Sequence, residues 1–205
     1  EQACLWELMR PCARRANDAA DERVIVADSK LVYSTASGWD ELERTVLSVL
    51  AASSLAELTQ ALKYEEIPIL REEAWFVGDT LLPTEIDANC RADAQQRWRA
   101  ASEIAGVRWA WHQTAIVATP RFNDLIDRWD SKSAVLSVAL TQLVQRCCQE
   151  TSPEPMTFVV DKHGGRNNYS ALLQHAFADG MVLAEEEGRH RSRYRVEGLD
   201  RPIRI

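Results

Sequence analysis

The spacing of hydrophobic positions along this chain predicts helices and strands in mixed order. Three segments place apolar side chains at helical spacing: 39–50, 131–148 and 169–178. Residues 86–105 are polar and alanine-rich, which predicts an exposed helix. Short β-branched or aromatic runs predict extended pieces at 24–27, 107–119, 157–160, 181–184, 192–196 and 202–205. The order of elements therefore predicts an α/β fold.

The middle of the chain lacks such a pattern. Residues 55–82 combine a helical segment with Pro68, Pro83 and acidic turns, without a sustained period. A chain of 205 residues, 46% of them apolar, is long enough to bury the core of a single domain. We therefore expect one domain over residues 1–205, with 55–105 as a helical insertion.

The most informative segment joins a strand to a helix through an acidic turn. The apolar run 157–160 is typical of a buried strand, and Asp161 follows it directly. Gly164 and Gly165 allow a tight turn, and Asn167 or Asn168 is placed to cap the next helix. Because open α/β sheets bind ligands at the carboxyl ends of their strands, the pattern makes Asp161 a candidate site residue.

A carboxylate in this position can hold a divalent cation and orient a water for attack on phosphorus. A magnesium ion needs further oxygen ligands, so partner acids must come from elsewhere in the fold. His163 could shuttle a proton beside Asp161. The alternatives are that Asp161 forms a turn or caps a helix, and that His163 is a solvated loop residue.

A second acidic turn occurs at Asp28, Ser29 and Lys30, after the apolar run 24–27. An acid, a hydroxyl and an ammonium close together suit contact with a phosphate group. The alternative is that Asp28 or Ser29 only caps a turn.

Arginines alternate along the predicted strand near the end of the chain. Arg191, Arg193 and Arg195 share one face, where guanidinium groups could line a nucleic-acid backbone. A solvated antiparallel face is the alternative. The acidic run 185–187 either pairs with these arginines or donates a metal ligand, and the sequence does not separate the two.

Composition limits the possible partners. A formal net charge of −7 argues against coating nucleic acid through the overall field, although a local basic strip remains possible. Five cysteines without a CxxC pair suit reduced intracellular thiols, and no apolar run is long enough to cross a membrane. We therefore expect a cytoplasmic protein without a membrane partner.

Four segments together resemble the ribonuclease H-like superfamily, and within it ribonuclease HII-like proteins. These segments are 5–8, 27–34 with 42–47, 158–169, and 192–196. The second and third are specific, and the likeness spans most of the chain. Ribonuclease HII usually reads Asp-Ser-Lys-Lys-Leu where this chain has the single Lys30.

The resemblance implies a mixed sheet flanked by helices, with Asp161 as a catalytic carboxylate that binds Mg²⁺ or Mn²⁺. The substrate-binding residues that it implies are Asp28, Ser29, Lys30, Lys162, His163 and Arg166. The family's Asp-Glu-Ala-Gly strand would precede Glu1 and its last acid would follow Ile205. We therefore expect a domain truncated at both ends, which does not cleave substrate by itself.

Three functions follow as hypotheses. The first is a metal-dependent endonuclease that hydrolyses the RNA strand of RNA–DNA hybrids. The second is a non-catalytic nucleic-acid-binding module of the same fold. The third is a structural or interaction domain. Hydrogen bonds from the amides of Gly164 or Gly165 to the carboxylate of Asp161, with no cleft above Asp161, would favour this third hypothesis.

Overall fold

The chain is mixed α/β and forms two compact units, residues 1–112 and 113–205. The computed structural model describes residues 4–16, 18–33, 38–62, 67–77, 79–151, 153–162 and 166–205. All five cysteines are free thiols. Across these ranges, every helix is too short or too polar to span a bilayer.

The first unit is mostly helical. Its helices are α1 (Leu5–Met9), α2 (Ser29–Val32), α3 (Asp40–Val49), α4 (Leu55–Ala61), α5 (Ile67–Leu70) and α6 (Ala88–Ala105). Two short strands, β1 (Ala13–Arg14) and β2 (Val24–Ile25), pair in parallel. The helix predicted over residues 39–50 is confirmed by α3.

The core of this unit lies between α6, α1 and the strand pair. Trp98 of α6 is buried with Met9, Ala13 and Val24, because α6 packs against both α1 and α3. Gly106 ends α6 with a φ of 65°, a left-handed conformation that glycine adopts without strain. The helix predicted over residues 86–105 is present as α6, but the prediction that it is exposed was wrong, because Ala94, Trp98 and Ala101 lie in the core of this unit.

The second unit combines three helices, among its described residues, with a four-stranded mixed sheet. The helices are α7 (Thr119–Trp129), α8 (Lys132–Glu150) and α9 (Ser170–Ala176), and the strands are β3 (Met156–Thr157), β4 (Met181–Glu187), β5 (Ser192–Glu197) and β6 (Ile203–Arg204). The sheet order is β3-β6-β5-β4, in which β3 and β6 are parallel and the other pairs are antiparallel. The helices predicted over 131–148 and 169–178 are confirmed by α8 and α9.

One face of this sheet is packed and the other is open. Tyr194, Val196 and Ile203 are buried in a cluster with Val144 of α8 and Leu173 of α9. Side chains on a strand alternate between faces, so the intervening residues point away from the helices. Those that carry charge on the open face include Arg193, Arg195 and Arg204.

Two predicted strands differ from the structure. Residues 107–118 form neither helix nor strand, and α7 begins at Thr119 with Pro120 in its first turn, so the strand over 107–119 was wrong. Strand β3 ends at Thr157, and the side chain of Val159 is 95% exposed. The prediction of a buried strand through Val160 was therefore wrong, because β6 pairs with only the first part of this segment.

Candidate functional site

A cavity of about 370 Å³ lies in the second unit, where β3 and β6 end. Its apolar wall comes from Leu140, Val144, Phe158, Leu173, Tyr194 and Ile205. Asp161 and Glu185 contribute acids to the lining, and the basic residues there include His190, Arg191, Arg193 and Arg204. The cavity thus has an apolar base and charged groups of both signs.

Asp161 is exposed and borders this cavity. Its Oδ1 accepts a hydrogen bond of 2.9 Å from the N–H of Lys162. Its other carboxylate oxygen has no hydrogen-bond partner within the described ranges, and residues 163–165 lie outside them. The prediction of His163 as a site residue therefore falls outside the described structure, whereas Asp161 offers a free oxygen to a ligand.

Lys162 holds the Asp161 segment to the β4–β5 hairpin. Its Nζ donates to Asn167 Oδ1 at 3.1 Å, to the carbonyl of Arg189 at 3.3 Å and to the carbonyl of Gly188. Three acceptors match the three donors of an ammonium group. Lys162 borders the cavity, but these bonds tie its charge to the protein.

Arg166 is directed to helix α8. Its guanidinium donates to Ser133 Oγ at 3.2 Å and to Ser137 Oγ at 3.3 Å. Arg166 is not part of the cavity lining that contains Asp161 and Lys162.

Asp28, Ser29 and Lys30 belong to the first unit, whereas Asp161 belongs to the second. Asp28 is the N-cap of α2, and its Oδ1 accepts a hydrogen bond of 2.8 Å from the N–H of Lys30. The structure therefore brings Asp161 and Lys162 together at one cavity and uses Asp28 as a helix cap.

The acidic run 185–187 pairs with its neighbours. Glu186 accepts hydrogen bonds from Arg191 at 3.0 Å and from Arg193 at 3.1 Å. The hydrogen bond from Arg191 is the largest of the effects that lower the pKa of Glu186. Arg195 forms ion pairs with Glu197 and, at 3.8 Å, with Glu185. Of the two alternatives for this run, the structure shows ion pairing with the arginines for Glu185 and Glu186.

Arg204 is the basic residue that the sequence reasoning missed. It lines the cavity and makes no side-chain hydrogen bond or ion pair with another residue that the structure describes. The sheet register places Arg204 opposite Arg195, whose charge is paired with Glu197 and Glu185, so the charge of Arg204 is the one that described carboxylates leave available to an anion. The alternation of apolar residues and arginine along residues 202–205 was the available signal for Arg204. It identifies the face on which Arg204 lies only when the pairing of β6 with β5 is known.

A buried tyrosine fixes the helix behind the site. The hydroxyl of Tyr194 donates to Glu187 Oε1 at 2.6 Å and accepts from the N–H of Tyr169 at 2.8 Å. Glu187 also accepts hydrogen bonds from Asn168 and Ser170. Burial is the first cause of the raised pKa of Tyr194, and the bond to Glu187 adds to it. The network joins the start of α9 to the hairpin.

The donor set fits a divalent cation only in part. Asp161 supplies one free carboxylate oxygen, and the described ranges contain no group of three His, Cys, Asp or Glu side chains able to hold a metal. Glu185 shares the cavity but lies 3.8 Å from Arg195. Asp161 is therefore suitable as one ligand of Mg²⁺ or Mn²⁺, and the described residues do not complete the site.

Comparison with known proteins gave no relative. No protein-family model matches the chain, and no curated protein or solved structure matches it.

Proposed function

We propose that the chain is a metal-dependent endonuclease of ribonuclease H type that hydrolyses the RNA strand of RNA–DNA hybrids. In this proposal Asp161 is one ligand of Mg²⁺ or Mn²⁺, and the other ligands lie outside the described residues. The observation that carries it is the free oxygen of Asp161 at a cavity bordered by basic side chains. The resemblance of residues 27–34 and 158–169 to ribonuclease HII-like proteins supports it.

The charges around the cavity suit a phosphate backbone. Arg204 forms no ion pair with a described residue. Arg193, on the same open face of the sheet, forms an ion pair with Glu186. Guanidinium groups match phosphate oxygens in geometry as well as in charge. Asp161, by contrast, repels a phosphate unless a cation lies between them, so a metal ion should strengthen hybrid binding at this site.

A second candidate is a nucleic-acid-binding module that does not hydrolyse its ligand. The single free carboxylate among the described cavity residues favours it, because Mg²⁺ needs several oxygen ligands. The ion-paired arginines would then position a phosphate backbone without a reaction.

A binding experiment tests the role of Asp161. A fluorescein-labelled RNA–DNA hybrid is titrated with the chain in Mn²⁺ or in EDTA, and fluorescence anisotropy gives the affinity. We expect about tenfold tighter binding with Mn²⁺, which corresponds to about 1.4 kcal/mol. Asp161→Asn abolishes this difference, and the control Asp28→Asn, which changes the α2 cap, keeps it. A metal effect that survives in Asp161→Asn would contradict the assignment of this ligand.

A cleavage assay on the same hybrid, with a longer chain that includes both flanks of residues 1–205, separates the two candidates. Mg²⁺-dependent RNA fragments that disappear in Asp161→Asn support the nuclease. Salt-dependent binding without any fragment, in either metal, supports the binding module. Cleavage that persists in Asp161→Asn would rule out the proposed chemistry.

A further inference from the structure

Arg14 in strand β1 carries a buried positive charge without a hydrogen bond to another described side chain. Its side chain is only 7% exposed, and its Nε is shielded from solvent and has no hydrogen-bond partner. Among the described residues, its ion-pair partner is Asp21, whose Oδ1 lies 3.8 Å from the Nε. An arginine keeps its proton inside a protein, so burial does not make it neutral. The burial of Arg14 therefore costs free energy, because its guanidinium has lost water without gaining acceptors in return.

Asp21 compensates this charge poorly, because Arg23 already occupies its carboxylate. The Nε of Arg23 donates to both oxygens of Asp21, at 3.0 and 2.9 Å, and its Nη2 donates to Oδ2 at 2.6 Å. The backbone N–H of Arg23 donates to Oδ1 at 2.9 Å. The pKa of Asp21 is lowered to about 2, with the hydrogen bond from the Arg23 side chain as the first cause and the charge of Arg14 as the smallest. Two guanidinium groups thus share one carboxylate, and one positive charge is left over.

The other described acids in the connection between β1 and β2 have different partners. Glu22 forms an ion pair with Arg97 of α6. Asp18 accepts a hydrogen bond from the backbone N–H of Arg15. Residues 10–23 contain four arginines against three acids, in a chain whose formal net charge is −7. The positive charge around Arg14 is therefore a local exception to an acidic composition.

The guanidinium of Arg14 lies beside the surface. Ala13 belongs to the core cluster of Met9 and Trp98, and side chains alternate along a strand, so Arg14 lies on the other face of the strand pair. Its neighbour Asp21 has a side chain that is 39% exposed, and residues 18–22 are all exposed. An anion that approaches beside Asp21 therefore reaches Arg14 without crossing the core.

We propose that Arg14 anchors an oxyanion-binding site in the first unit, which takes the carboxylate or phosphate group of a small ligand. The edge of a guanidinium formed by Nε and one Nη donates two parallel hydrogen bonds to two oxygens of such a group. Arg14 supplies this edge, and Arg23, which shares Asp21, adds a second positive charge. The site does not depend on Asp161 or on the proposed nuclease activity.

A purely structural role for Arg14 makes the opposite prediction about stability. If Arg14 held the fold together through Asp21, removal of its charge would destabilise the chain in every buffer. As a ligand site, Arg14 instead lowers stability when no oxyanion is bound, since an apolar side chain is often tolerated better than a poorly paired buried charge. We therefore expect Arg14→Met to melt at the wild-type temperature or higher in Tris chloride, which contains no oxyanion.

Binding is measured by isothermal titration calorimetry of the 205-residue chain with sodium phosphate and, separately, with sodium acetate, at constant ionic strength. We expect at least one of the two anions to bind with a dissociation constant below about 1 mM. Arg14→Met weakens this binding at least about tenfold, because it removes charge-assisted hydrogen bonds. The matched control is Arg99→Met, an exposed arginine on α6, which leaves the affinity unchanged. Tighter binding of phosphate identifies a phosphate ester as the ligand class, and tighter binding of acetate identifies a carboxylate.

Asp21→Asn is the second variant, and it keeps the test decisive if circular dichroism shows that Arg14→Met fails to fold. The carboxylate of Asp21 repels an anion at Arg14, so its neutralisation should tighten binding of the same anion about fivefold. Failure of both anions to bind, equal affinity of the wild type and Arg14→Met, or weaker binding by Asp21→Asn would each overturn the proposal. A lower melting temperature of folded Arg14→Met in Tris chloride would overturn it in favour of a structural role.

Discussion

The two units use their acidic side chains in different ways. In residues 1–112, Asp28, Glu43, Glu57 and Asp87 accept hydrogen bonds from backbone N–H groups, at helix starts or across a turn. In residues 113–205, Asp161 accepts only from the neighbouring Lys162 and keeps one oxygen free, among described partners, beside a cavity. We infer that an acid after an apolar run is a candidate ligand site where it borders a cavity, as Asp161 does, and not where it caps a helix, as Asp28 does.

Glu43 gives the largest expected effect in this comparison. Its carboxylate accepts from the N–H groups of Thr84, Glu85 and Ile86 and from the hydroxyl of Thr84, at 2.6 to 3.2 Å. We expect Glu43→Ala to lower the free energy of unfolding by about 2–3 kcal/mol, because it removes charge-assisted bonds to several backbone donors. Urea denaturation measures this change. The matched control is Glu103→Ala, an exposed glutamate on α6, and an equal effect of both would contradict the prediction.

The same residue predicts a pH dependence. Partial burial raises the pKa of Glu43, but the bonds from Thr84, Glu85 and Ile86 outweigh it, so the pKa is lowered. A carboxyl with a lowered folded-state pKa stabilises the fold above its ordinary pKa of about 4.3 and loses that contribution as the pH falls through the lowered value. The difference in unfolding free energy between the wild type and Glu43→Gln should therefore shrink below about pH 4.3. Denaturation at pH 7, 5, 4 and 3 checks this, and a difference that grows toward acid would contradict it.

Tyr194 extends the comparison to the second unit, with a somewhat smaller effect. Tyr194→Phe removes a hydroxyl that bonds both Glu187 and the N–H of Tyr169. We expect a loss of about 1–2 kcal/mol in unfolding free energy, because a part-buried donor and acceptor lose their partner. The control is Tyr33→Phe in the first unit, whose hydroxyl bonds no described residue and which should change stability by less than about 0.5 kcal/mol.

Asp28 and Asp161 give the smallest effects and the most direct contrast. Asp28→Ala removes the cap of α2 and should lower the unfolding free energy by about 1 kcal/mol. Asp161→Ala should leave it unchanged within error, since its one hydrogen bond is to the adjacent exposed residue. Thermal denaturation of both variants compares them. A larger loss for Asp161→Ala would show that this acid has a structural role.

Local patterns predicted the helices well. The stripes over 39–50 and 131–148 correspond to α3 and α8, since amphipathic spacing is a property of the segment itself. Strand prediction was less successful, because alternation indicates an extended chain without identifying a partner. Residues 107–118 form neither helix nor strand, and Val159, after the end of β3, is exposed.

The sequence alone determined the mixed α/β composition and the extended segments near the end of the chain that carry the arginines, because each depends on neighbouring residues. Tertiary structure decided which acids border a cavity and which accept hydrogen bonds from residues distant in the chain. Whether a carboxylate meets an amide, an arginine or a cavity depends on residues distant in the chain, as Glu43 with Thr84 and Glu186 with Arg193 show.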